Sequence, residues 1–156
     1  MKSKIYLDDV RIPIDESWIV VKNYEQFVGR VLEIGIENID LISLDHDLGP
    51  QAMSEYFNNV SPNYNLDYNN LADEKTGYDC AKWIVDHFYD KFPDRIDLPR
   101  NKKRDEIHFP KIVVHSANPI GSSNIMGYIN NFLMNEAQDQ SCIRVRWEHT
   151  IDPNVD

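Results

Sequence analysis

Apolar residues along this chain fall into short runs separated by longer stretches of helical spacing. Ile5-Tyr6-Leu7 ends in Asp8-Asp9 and reads as a buried strand. Val10 to Ser17 reads as a loop broken by Pro13. Trp18-Ile19-Val20-Val21 is β-branched and predicts a second strand. Asn23 then caps a helix, with Gln26 as capping-box partner and Gly35 as the stop. Leu41-Ile42-Ser43-Leu44-Asp45 is the third strand, Lys111 to His115 the fourth, and Ile143 to Trp147 the fifth. Thr76 caps a helix carrying Tyr78, Ala81, Ile84, Val85 and Phe88 on one face, ended by Pro93. Asn118-Pro119 turns into another helix near Ser123, with Ile125, Ile129, Phe132 and Leu133 on one face. From about Pro50 to Lys75 no clean period holds, and the stretch reads as a long insertion or lid after strand three.

Strands alternating with helices imply an α/β fold, a parallel sheet with helices on both faces. The step from strand one to strand two is the exception, because its loop is too short for a crossover helix. At 156 residues the chain is one domain's worth, taken as residues 1–156. It needs no disulfide staples. With 42% hydrophobic and 27% charged residues it reads as a soluble globule, and no run is long enough for a membrane span. The N-terminus turns acidic before a signal peptide's apolar core can form. Cys80 and Cys142 give neither metal spacing nor a disulfide framework, so a reduced, cytoplasmic compartment is expected. Sixteen Lys and Arg oppose 26 Asp and Glu, a net charge of −10 that argues against binding long duplexes. A small phosphorylated ligand, held by a few local cations or metal ions, suits it better.

The polar residues of interest follow strands. Asp8 and Asp9 follow the first, Asp45, His46 and Asp47 the third, and His115, Ser116 and Asn118 end or follow the fourth. In an open α/β sheet ligands bind at the carboxyl ends of strands. Four carboxylates in one crevice repel unless a cation is present, and oxygen ligands suit Mg²⁺ or Mn²⁺. The plainer alternative is that Asp8, Asp9 and Asp47 cap turns and helix starts. If the strand continues through Asp47, alternation puts Asp45 and Asp47 on one face and His46 on the other, unless the chain turns at His46.

Leu7-Asp8-Asp9-Val10-Arg11-Ile12-Pro13, Leu44-Asp45-His46-Asp47-Leu48-Gly49 and His115-Ser116-Ala117-Asn118-Pro119-Ile120-Gly121 together resemble response-regulator receiver domains. More closely, they resemble the divergent cyclic-phosphate processing receiver family. The resemblance implies a flavodoxin-like five-stranded sheet in the order 2-1-3-4-5. It implies processing of nucleotides that carry cyclic phosphates. By the same resemblance Asp8 and Asp9 are metal acids, Asp45 holds the phosphoacceptor position, and Ser116 contacts a phosphoryl oxygen. Ordinary receivers carry a lysine after strand five, where this chain has Trp147-Glu148-His149. The first helix is reduced. Both departures weaken a phosphoaspartate switch.

Hydrolysis of a cyclic phosphodiester needs charge neutralisation, an activated water and an acid for the leaving alkoxide. A metal on Asp8, Asp9, Asp45 and Asp47 would supply the first two. His46 and His115 are the candidate proton carriers. Arg11 could clamp phosphate oxygens, with Ser116 and Asn118 donating to them. Asp45 is alternatively a covalent nucleophile. The expected substrate is a small cyclic-phosphate nucleotide or an RNA end. The competing readings are a module that sequesters such a nucleotide uncleaved, a receiver-like phosphosignalling domain, and, from the Asp-x-Asp at Asp45-His46-Asp47, a haloacid-dehalogenase-like phosphatase. Tyr56, Phe57, Tyr64 and Tyr68 in the insertion either stack on a base or form a small core of their own. Arg100 to Arg104 reads as a solvated loop on the opposite edge.

Overall fold

The computed structural model describes residues 2–95, 107–145 and 150–151. Five strands form a parallel sheet: β1 (Ser3–Leu7), β3 (Trp18–Val21), β4 (Ile39–Leu44), β5 (Lys111–Val114) and β6 (Ile143–Arg144). Their order is β3-β1-β4-β5-β6. This is the expected 2-1-3-4-5 order once the two-residue β2 (Ile12–Pro13) is counted in the chain. β2 lies in the first loop and pairs antiparallel with β7 (Thr150–Ile151).

Three long helices make the crossovers: α1 (Tyr24–Ile34), α4 (Gly77–Lys91) and α5 (Pro119–Asn135). Each steps the chain in the same direction along the sheet. Right-handed connections therefore place all three on one face. There Ile5, Leu7, Ile42, Leu44, Ile112 and Val114 share a continuous core with Phe27, Ile84, Phe88, Ile125 and Phe132. The step from β1 to β3 runs the other way, so a helix there would have covered the opposite face. That helix is missing. Pro13 of the β2–β7 ribbon instead lines a cavity of about 350 Å³ there with Tyr6, Trp18, Leu41 and Val113. Helices expected on both faces are thus found, among the described residues, on one.

The first two caps follow the sequence closely. Asn23 Oδ1 accepts from the Gln26 amide, and the Gln26 side chain reaches back to the Lys22 amide. Thr76 and Asp79 form a reciprocal capping box. Asn118 caps α5 by accepting from the Gly121 amide, so this helix begins at Pro119 rather than near Ser123. Proline at the first helical position suits this start.

The stretch from about 50 to 75 is more regular than its sequence suggested. It holds α2 (Pro50–Glu55), a π-helical turn (Tyr56–Val60), the short α3 (Ser61–Asn63) and a 3₁₀ turn (Tyr68–Leu71). Two carboxylates tie it together. Glu74 accepts from the Gln51 and Ala52 amides at the start of α2. Buried Glu55 accepts from Asn59, Asn70 and the Asp67 amide. Burial pushes the Glu55 pKa up, but these donors outweigh it and hold it below the ordinary range. Polar residues with no helical period thus satisfy one another locally, which is why hydrophobic periodicity missed the elements.

Two glycines should respond oppositely to alanine. At Gly77 a Cβ would lie 1.8 Å from the Asp45 carbonyl oxygen. Gly77→Ala should therefore cost about 1–3 kcal/mol or more in urea unfolding. At Gly29, inside α1, a Cβ meets nothing within 4 Å. Gly29→Ala should stabilise by roughly 0.5–1 kcal/mol.

Candidate functional site

The register of the sheet builds the site. Leu7 pairs with Leu44, and Leu44 with Val114. The ladder runs one residue further: the Asp8 amide bonds Val21 O, the Asp45 amide bonds Leu7 O, and the His115 amide bonds Leu44 O. Asp8, Asp45 and His115 therefore occupy one rung across three neighbouring strands. By strand alternation they point away from the helices, in line with Tyr6, Ser43 and Val113. One ligand atom from each lies within 4.8 Å of the others. All three residues are buried.

Ser43 lets His115 reach across β4. Its side chain is small, and its Oγ lies 2.7 Å from His115 Nδ1. The imidazole lies flat on the Tyr6 ring, centroids 4.3 Å apart, and its Nε2 stands 3.1 Å from Asp8 Oδ2. A carboxylate only accepts, so Nε2 carries the proton and Nδ1 accepts from Ser43. Burial pushes the His115 pKa below its ordinary range, although Asp8 opposes this. Burial would raise the Asp8 pKa, but His115 and the Arg11 and Val10 amides, both bonded to Oδ1, bring it below the ordinary range. The pair is a carboxylate beside a neutral imidazole.

Asp45 is held differently. Its Oδ1 accepts from the His46 amide. Burial, then the charges of Asp8 and Asp47, push its pKa well above the ordinary carboxylate range, with Arg11 opposing. Burial and Asp8 push Asp9 up to about 6. These groups share a cavity of about 210 Å³ whose wall includes Asp8, Asp9, Arg11, Asp45, Asp47 and Ser116. Four carboxylates meeting one arginine in a confined space leave negative charge that a divalent cation would relieve. The donor set fits such an ion. Asp8 and Asp45 would hold it, with Asp9 and Asp47 at the rim, and an oxygen-rich set suits Mg²⁺ or Mn²⁺.

His46 lies elsewhere. Its fully buried ring turns to the helix side, where a Cβ at Gly121 would lie 2.3 Å from it. Nδ1 stands 2.7 Å from Asp47 Oδ1 and Nε2 stands 3.0 Å from the Tyr68 hydroxyl, whose oxygen accepts from Asn124 Nδ2. His46 thus links the insertion to a cleft carboxylate without entering the cleft. Asn118 is occupied too: Oδ1 caps α5, and Nδ2 donates to Asp47 Oδ1 at 3.2 Å. Ser116 does line the cleft. Its Oγ accepts from the Asn118 amide, and its carbonyl accepts from Arg144 Nε and Nη2.

Sequence reasoning passed over Ser43, Tyr6 and Arg144. Ser43 carried a signal, as a hydroxyl inside the apolar run Leu41-Ile42-Ser43-Leu44 that must find a partner once buried. Of the insertion aromatics, Tyr56 and Phe57 line the cleft, Tyr68 anchors His46, and Tyr64 is exposed. Trp147-Glu148-His149 and Arg100 to Arg104 lie outside the described residues. No helix among the described residues is long and apolar enough to cross a membrane.

A parallel sheet in this order, with acids closing β1 and β4 and a serine beyond β5, defines a receiver-like domain with an acidic cleft at its carboxyl edge. Residues 3–131 match the cyclic-phosphate processing receiver domain, and the chain belongs to that family. No curated protein and no solved structure matches it.

The raised carboxyl groups set a pH dependence for the metal-free protein. A folded pKa above the unfolded value means stability that is full below the unfolded pKa and lost as pH rises through the folded one. In chelator, the contribution of Asp9 should therefore fall away between pH 3.8 and about 6, with Asp45 extending the loss upward. Asp45→Asn should flatten this decline in thermal unfolding. Mn²⁺ should raise the wild-type melting temperature at pH 7 and leave the variant's nearly unchanged.

Proposed function

We propose that this domain hydrolyses a small cyclic-phosphate nucleotide or a cyclic-phosphate RNA end with the help of Mg²⁺ or Mn²⁺. The observation that carries the reading is the rung that sets Asp8 and Asp45 side by side at a cleft that also holds Asp9, Asp47, Arg11 and Ser116, with His115 bonded to Asp8 behind it. A divalent ion there supplies charge neutralisation and an activated water. The chain's own residues do the rest. Asp8 is oriented on both oxygens, by two backbone amides and by His115, before any ligand arrives. Arg11 and the Ser116 hydroxyl grip the non-bridging phosphate oxygens. Arg144 and the Asn118 amide fix the serine that does so. His46 acts as a positioning residue, setting Asp47 at the rim.

A second reading, capture without cleavage, has one observation in its favour. Neither imidazole faces the cleft, so proton transfer to the leaving alkoxide falls to a carboxyl group or to water.

³¹P NMR separates the two. The protein is incubated with 2′,3′-cyclic nucleotides and with 3′,5′-cyclic mono- and dinucleotides, in Mg²⁺, in Mn²⁺ and in chelator. Conversion of one cyclic resonance to a linear ester with metal, lost in chelator, is the expected result. Asp45→Asn should lower that rate by about a thousandfold, in line with the loss of a group central to charge stabilisation. A resonance that broadens and shifts at stoichiometric protein without conversion would establish capture instead.

A further inference from the structure

The insertion presents two different faces of one short helical segment. Ala52 and Glu55 point into the insertion's own interior, with Asn59 bonded to Glu55. Met53, Tyr56 and Phe57 stand at positions i, i+3 and i+4, which share one helical face. All three line the acidic cleft. Met53 is 52% exposed and Phe57 66% exposed, although both are large apolar side chains. Tyr56 and Phe57 meet edge to face with centroids 5.4 Å apart. The segment is not a loose flap: Glu74 holds the start of α2, and Glu55 holds its far end. The π-helical turn opens at Tyr56, a local irregularity that often marks functional sites. An apolar, partly aromatic wall is thus fixed beside carboxylates while the Phe57 side chain stays largely exposed.

We propose that Phe57, flanked by Met53 and Tyr56, is the stacking platform for the nucleobase of the ligand whose phosphate enters the acidic cleft. This rests on the cyclic-phosphate reading above and adds what that reading lacks, a site for the organic part of the substrate. An aromatic ring suits the wall better than an acyl chain, because the cleft offers a shallow exposed ring face rather than an apolar tunnel. Stacking reads the π-face of any base, so little preference among the four bases is expected.

The test compares cytidine 2′,3′-cyclic phosphate with glycerol 1,2-cyclic phosphate, which has the same strained ester ring and no base. Affinities are measured in Mg²⁺ for the full chain, and the base protons of the nucleotide are followed by ¹H NMR. Stacking predicts a preference for the nucleotide and upfield shifts of its base protons. Phe57→Ala should shrink that preference roughly 5- to 150-fold and abolish the shifts. Phe57→Leu should lose most of it despite staying apolar, and Phe57→Trp should keep it. Since Phe57 is largely exposed, these variants should fold. An unchanged preference in Phe57→Ala would overturn the platform even if the nucleotide is cleaved. Base-proton shifts that vanish in Phe57→Ala, without cleavage of this nucleotide or of the 3′,5′-cyclic ones, would uphold the platform while removing the hydrolytic reading. Failure of both esters and of the 3′,5′-cyclic mono- and dinucleotides to bind would overturn both.

Discussion

Carboxylates held close together in a confined crevice dominate this molecule. Asp8 and Asp45 follow adjacent parallel strands on the same rung, so the general strand spacing of roughly 4.7–4.9 Å brings them close. Asp47 and Asp9 add charge from the turns. Water would screen such a cluster, but burial removes much of that screening. The fold answers in three ways. Asp8 is satisfied by two amides and an imidazole. Asp47 is satisfied by His46 and Asn118. Asp45 and Asp9 are left with raised proton affinity, a repulsion that a bound cation would relieve.

The two histidines show how neighbouring roles divide. Both are buried, and both have one nitrogen within hydrogen-bond reach of a carboxylate. His115 lies on the face away from the helices and orients Asp8 across Ser43. His46 lies on the helix side and joins Asp47 to Tyr68 in the insertion. Their imidazoles thus serve as struts for the acids. The glycines keep the struts in place: Gly121 gives the His46 ring its room, and Gly77 lets α4 pack on the Asp45 backbone.

Loss of the first crossover helix has a consequence for the site. In this strand order the β1-to-β3 step is the described connection that would carry a helix to the second face. Its replacement by a ribbon leaves Tyr6, Ser43 and Val113 on a sheet face that no helix among the described residues covers, with His115 between that face and the acidic cleft. The short loop also draws Val10 and Arg11 back toward Asp8, whose Oδ1 accepts both of their amides. The departure from ordinary receiver architecture and the preorganisation of the first acid thus share one segment.

The sequence by itself determined the five strands, the three long helices with the Asn23 and Thr76 caps of the first two, and the identity of the acids. Each rests on local physics: apolar period, capping chemistry and turn residues. Strand alternation would part His46 from Asp45 and Asp47 only if the strand ran on through Asp47, whereas β4 ends at Leu44, and His46 was expected as a proton carrier rather than as the strut it forms. Tertiary structure alone decided that Asp8, Asp45 and His115 share a rung, because register is a relation between strands that no single segment encodes. It decided that His115 reaches Asp8 through Ser43, and that His46 finds its second partner 22 residues away in Tyr68. It also decided the insertion's form. There the polar side chains of Glu55, Asn59, Asn70 and Glu74 stabilise short helices through contacts that leave no period in the sequence. Those contacts leave Met53, Tyr56 and Phe57 as the wall of the cleft.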